Sequence, residues 1–117
     1  MRENNVIVEK AEVFAVRIVK LCRYLKKSGC EFELISQIMR SGTSIGANVH
    51  EAVFAQSHKD FVSKMNIALK EANETVYWIR LLNRTENLTL QQFESINADC
   101  VEILKILTAI VKSSKEV

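Results

Sequence analysis

Apolar side chains recur along this chain at steps of three and four residues, in four separate runs. In the first run, Ile7, Ala11, Phe14, Ile18, Cys22 and Leu25 fall on one stripe at 100° per residue. That predicts a helix over about residues 5–27. Ser28-Gly29 predicts its end, because glycine readily takes the left-handed conformation that closes a helix. The second run predicts a helix over about 31–55, with Ile35, Ile38, Gly42, Ile45, Gly46, Val49 and Val53 on one face. Ser41, Gly42, Thr43, Ser44, Gly46 and Ala47 make its middle unusually small. Two glycines inside a helix cost on the order of 1 kcal/mol each relative to alanine. Close approach of another backbone is the expected gain, and a loop at 41–46 is the alternative.

The third run predicts a helix over about 58–84. Ser57 is placed to cap it, with Asp60 in the first turn. Phe61, Met65, Ala68, Ala72, Val76, Ile79 and Asn83 line its expected core face. The fourth predicts a helix over about 89–112. Thr89 and Gln92 have capping-box spacing, and Phe93, Ile96, Cys100, Ile103, Leu107 and Ile110 form the stripe. Four amphipathic helices joined by short turns predict an all-α fold: an antiparallel, up-down-up-down four-helix bundle, a single domain over 1–117. Each helix alone is marginal in water, so burial of the four stripes together must stabilise them.

Composition sharpens this picture. The 117 residues contain no proline and only three glycines, which suits long helices with short connections. Three cysteines with no CxxC argue against a disulfide framework or a zinc site. Neither a signal peptide nor an 18-residue apolar run occurs, so a soluble, cytoplasmic protein is expected. The sequons at Asn73, Asn83 and Asn87 are then chance matches. Catalytic constellations are missing too. His50 and His58 lack the Glu-x-x-His spacing of a di-iron bundle, and Phe54 stands where a zincin helix needs its second histidine. No GxxxxGK[ST], GxGxxG or GxSxG is present. Cys22 and Cys100 lie on core stripes and fit apolar filling better than nucleophilic chemistry. The expectation is a protein that is not an enzyme and that takes no cofactor, metal or small-molecule substrate.

Two surfaces remain as candidates for partners. Net charge is only +2, yet residues 1–30 hold seven basic and three acidic groups. Lys20, Arg23 and Lys27 project roughly opposite the apolar stripe of the first helix, and Lys26 flanks the same side. Such a cationic stripe can bind phosphates with salt-sensitive affinity, or can simply be a solvated face near a helix C-terminus. The other surface is apolar. Ile67, Trp78 and Leu81 share one side of the third helix, away from its expected core stripe, and Trp is a favoured interface anchor. On the second helix, Arg40, Ser44, Ala47 and Glu51 face away from the core. These seven residues are the candidate contact between copies.

The run Arg40-Ser41-Gly42-Thr43-Ser44-Ile45-Gly46-Ala47-Asn48-Val49-His50-Glu51-Ala52 resembles a known pattern, R-S-x-x-S-I-x-x-N-x-x-E. Phe61, Lys64, Ala68-Leu69-Lys70-Glu71-Ala72, Glu74-Thr75 and Tyr77-Trp78 continue it. Together they resemble the bacterial four-helix bundle family named for proteins encoded in 23S ribosomal RNA intervening sequences. The similarity extends over essentially the whole chain and is sharpest over 40–82. The accessory variability protein of diversity-generating retroelements is similar. The resemblance implies side-by-side association into a homopentameric ring, and a role with nucleic acid or a nucleoprotein. It also marks Arg40, Ser41, Ser44, Asn48 and Glu51 as pattern positions. The modest charge departs from strongly basic accessory proteins. The expected function is therefore a non-catalytic homo-oligomer that binds RNA or a nucleoprotein. The alternative is a structural or protein-interaction module with no nucleic-acid role.

Overall fold

A computed structural model describes residues 2–115, with side chains from residue 6 onward. Four helices follow one another: α1 (Arg2–Lys27), α2 (Phe32–Val53), α3 (His58–Arg84) and α4 (Leu90–Lys115). Among the described residues there is no strand. The predicted helices are all present and their boundaries move by at most three residues. α2 runs unbroken through 41–46, so the loop alternative is excluded.

The turns form where local chemistry asks for them. Gly29, at φ +81°, closes α1: its N–H bonds to the Lys26 carbonyl, and the Cys30 N–H reaches back to Leu25. This is a Schellman closure, and it seats Cys30 beside Leu25 in the core. Ser57 caps α3 by accepting from the Asp60 N–H at 3.1 Å. Thr89 and Gln92 complete a reciprocal capping box at α4, with bonds of 3.1 and 2.8 Å.

Cross-helix contacts fix the packing order. Gly42 faces Ile18 and Gly46 faces Ala11, so α1 and α2 are antiparallel. Arg40 meets Glu74 while Glu51 meets Lys64, so α2 and α3 are antiparallel too. The Cys100 thiol points at the Ala72 carbonyl and His58 donates to the Ser114 carbonyl, setting α4 against α3 in the same sense. Lys10–Glu102 and Arg17–Asp99 close α4 onto α1. Each helix thus packs on its chain neighbours, up-down-up-down, and the α1–α4 side is packed least closely.

The small middle of α2 has the steric role expected of it. A Cβ on Gly42 would stand 2.8 Å from Ile18, and one on Gly46 would stand 3.3 Å from the Ala11 carbonyl oxygen. On α3 the buried stripe differs from the predicted one. Thr75 and Leu82 are buried, whereas Val76 and Asn83 are only partly so. The stripe is turned toward α2 because a buried polar pair lies there: the Thr75 and Ser41 hydroxyls are 2.9 Å apart. Thr75 also reaches the Glu71 carbonyl at 2.7 Å. Val53 is likewise more exposed than its place on the α2 stripe suggested, because the buried face passes from Val49 to Ala52 instead.

Candidate functional site

The basic stripe is where the periodicity puts it. Lys20, Arg23, Lys26 and Lys27 are all exposed on the C-terminal half of α1. Among the described residues none of the four has an acidic partner, in contrast to Arg17 and Arg40. Arg17 is drawn across to α4, where it pairs with Asp99 and donates to the Ser95 hydroxyl at 2.9 Å. The free cations therefore begin one turn further along the helix. Tyr24 is exposed between them.

The second candidate surface is rearranged. Arg40 is exposed, but its guanidinium is already engaged. It pairs with Glu74 and lies 3.2 Å from Glu71, both on α3. Gln37 accepts from it at 3.2 Å. The Trp78 indole N–H donates to the same Glu74 carboxylate at 2.9 Å. Trp78 is thus half-buried and packed on the core, which corrects the expectation of an exposed anchor. The cause is the turned stripe of α3. With Thr75 and Leu82 at its centre, Trp78 moves to the shoulder of the core, and Leu81 beside it is half-buried as well. Ile67 remains exposed, as do Ala47 and Glu51 on α2.

The pattern positions acquire local explanations. Ser41 is buried against Thr75. Ser44 donates to the Arg40 carbonyl at 2.6 Å, and Asn48 donates to the Ser44 carbonyl at 2.8 Å. Glu51 lies 3.9 Å from Lys64. Most of the pattern therefore knits α2 to itself and to α3 within one chain. On that face Ala47 is left without such a contact, and Glu51, though near Lys64, stays exposed.

The three cysteine thiols are all shifted upward. Burial pushes the Cys22 thiol up to about 11, with Cys30 nearby adding to the shift. Burial pushes Cys100 up to about 12, with Asp99 adding to it. Cys30 is raised for the same leading reason. Thiols held protonated are poor nucleophiles and poor ligands. Among the described residues no group of three His, Cys, Asp or Glu side chains could hold a metal ion. Among the described residues no helix is long and apolar enough to cross a membrane.

Several exposed apolar residues had no place in the periodic reading. Val13 and Val16 on the outer face of α1 are 55% and 49% exposed, and Phe32 and Phe54, at the two ends of α2, are 76% and 75% exposed. Phe32 and Phe54 carried no signal beyond lying outside the apolar stripes.

Among curated proteins none matches this chain. A solved structure from Bacteroides thetaiotaomicron, described as a protein of unknown function from the S23 ribosomal protein family, is 56% identical. It superposes with a TM-score of 0.91, over 94% of this chain and 98% of that one. The model of the 23S rRNA-intervening sequence protein family matches residues 3–109. The pattern on α2, the four-helix bundle and both similarities agree, and the chain belongs to the 23S rRNA-intervening sequence protein family.

Proposed function

We propose that this protein is a non-catalytic homo-oligomer, a pentameric ring, that binds structured RNA or a nucleoprotein. The observation that carries the reading is the clustering of four exposed cations without an acidic partner, Lys20, Arg23, Lys26 and Lys27, on one half of α1, whereas Arg17 and Arg40 are paired with Asp99 and Glu74. A ring would repeat the stripe on every subunit and pool a charge that one copy lacks. Ala47, Glu51 and Ile67, exposed beside the Arg40–Glu74–Trp78 network, supply the side-by-side contact.

Titration of a labelled RNA hairpin at several salt concentrations tests the nucleic-acid half. Four neutralised phosphates give a log–log slope of roughly −3 to −4. Reversing Lys20, Arg23, Lys26 and Lys27 together to Glu should abolish binding without unfolding the bundle, since all four are exposed. Affinity indifferent to salt, or to those reversals, overturns the RNA reading. Light scattering tests the assembly: five copies of a 13.3 kDa chain give about 67 kDa. The exposed Phe54 and Ile67 favour the second reading, a protein-interaction module. Failure to bind RNA together with retention of the ring would establish that one.

A further inference from the structure

The outer face of α1 has a period of its own. Glu9, Val13, Val16, Lys20, Arg23 and Lys27 are spaced 4-3-4-3-4, the step of a helix–helix seam. At 100° per residue they occupy a band about 80° wide, centred opposite the buried stripe. All six are exposed, with Glu9 and Val13 bordering a cleft against α4. Among the described residues none of their charges has an intrachain partner. Glu12, also exposed, flanks the band. The face is therefore acidic toward the N-terminus, apolar at Val13 and Val16, and basic toward the C-terminus.

That order is self-complementary in one direction only. Two copies of α1 laid antiparallel, with a two-fold axis near Val16, bring Val16 against Val16. Glu9 then opposes Arg23, Glu12 opposes Lys20, and the arrangement repeats across the axis. A parallel pairing would set acid against acid and base against base. A polyanion would leave Glu9, Glu12, Val13 and Val16 unused. We infer that the outer face of α1 is a docking site for α1 of a second copy, antiparallel, held by two apolar steps and four cross-axis charge pairs. The inference does not rest on the RNA reading and competes with it, since a paired α1 covers Lys20 and Arg23.

From Glu9 to Lys27 the seam is about 27 Å long. One helix pair of that length buries less than the roughly 1,600 Å² of a standard interface, so the affinity expected is micromolar and strongest at low salt. It adds a two-fold contact to whatever the other faces build.

Charge exchange provides the test, read as particle mass by sedimentation at low salt. The E9K/E12K variant and the K20E/R23E variant should each halve the wild-type mass, because each turns the face to a single sign. Circular dichroism checks that both remain folded, as substitutions at exposed positions should. Mixing the two should restore the mass. So should the chain carrying all four exchanges, which regains self-complementarity while losing its basic stripe and hence any RNA affinity. V16K offers a second variant, one that places two cations on the axis. Wild-type mass in E9K/E12K, or failure of the exchanged partners to reassociate, overturns the proposal. A wild-type particle with no salt-dependent association at tens of micromolar overturns it as well.

Discussion

Glu86 sits at φ 63°, the one non-glycine residue with positive φ among those described. It occupies the position in the turn after α3 that Gly29 occupies after α1. Its N–H bonds to the Asn83 carbonyl and the following N–H of Asn87 reaches Leu82. The closure is the same, but here a Cβ pays for it. Left-handed geometry costs an L side chain about 1–2 kcal/mol. Glu86→Gly should therefore stabilise the bundle by about 1 kcal/mol and raise the Tm by roughly 4 °C in thermal unfolding. The three thiols act at the same scale with a pH signature. Cys22 and Cys100 hold their protons more tightly folded than unfolded, where 9.0 is the ordinary value. Their contribution is whole below pH 9 and is lost as pH rises toward about 11 and about 12. Denaturant midpoints should be flat through neutral pH with respect to these thiols and fall above pH 9. Replacing Cys22 and Cys100 with alanine, at a fixed packing penalty, should flatten that alkaline limb.

At the scale of elements, α2 is defined by what it lets approach. Gly46 brings the Ala11 backbone to within contact of where a Cβ would be. Gly46→Leu must push α1 away, and a loss of about 1–3 kcal/mol is expected by chemical denaturation. An unchanged midpoint would remove the packing role assigned to this glycine. Facing α3, the Ser41–Thr75 pair locks register with polar groups. One hydroxyl proton serves the Glu71 carbonyl and the other joins the two oxygens. Thr75→Val alone strands the Ser41 hydroxyl, at a cost of about 1–3 kcal/mol. Ser41→Ala with Thr75→Val should recover much of that loss, because no buried polar atom is then left without a partner. A double-mutant cycle measures the coupling, and additive single effects would show that the pair is not an energetic unit. The helix ends and three of the four stripes were legible in the sequence because capping and amphipathicity are local. The α3 stripe was not. A polar residue scores as solvent-facing until its buried partner, 34 positions away, is known.

For the whole molecule, the four interhelical seams are unequal. The α2–α3 seam carries the Arg40 network and the buried hydroxyl pair, whereas α1 and α4 meet across a cleft of about 460 Å³ bridged by exposed ion pairs. Exposed pairs of that kind contribute typically below 1 kcal/mol. Sub-global opening should therefore begin at the α1–α4 side. Native-state amide exchange should find the slowest protons in the middle of α2 and α3, around Ser41–Ile45 and Ala72–Ile79, with α1 and α4 less protected. Equal protection in all four helices would contradict this ordering. By itself the sequence determined the number and limits of the helices, their antiparallel order, the family, and the position of the cationic stripe. Each of these follows from spacing, capping residues or loop length along the chain. Only the tertiary structure decided which way α3 turns its face and that Arg40 and Trp78 are held within the chain. It also decided that Arg17 is neutralised, and that α1 keeps a second, unburied seam. Those outcomes depend on which side chains meet across helices, where burial and charge partners come from residues far apart in sequence.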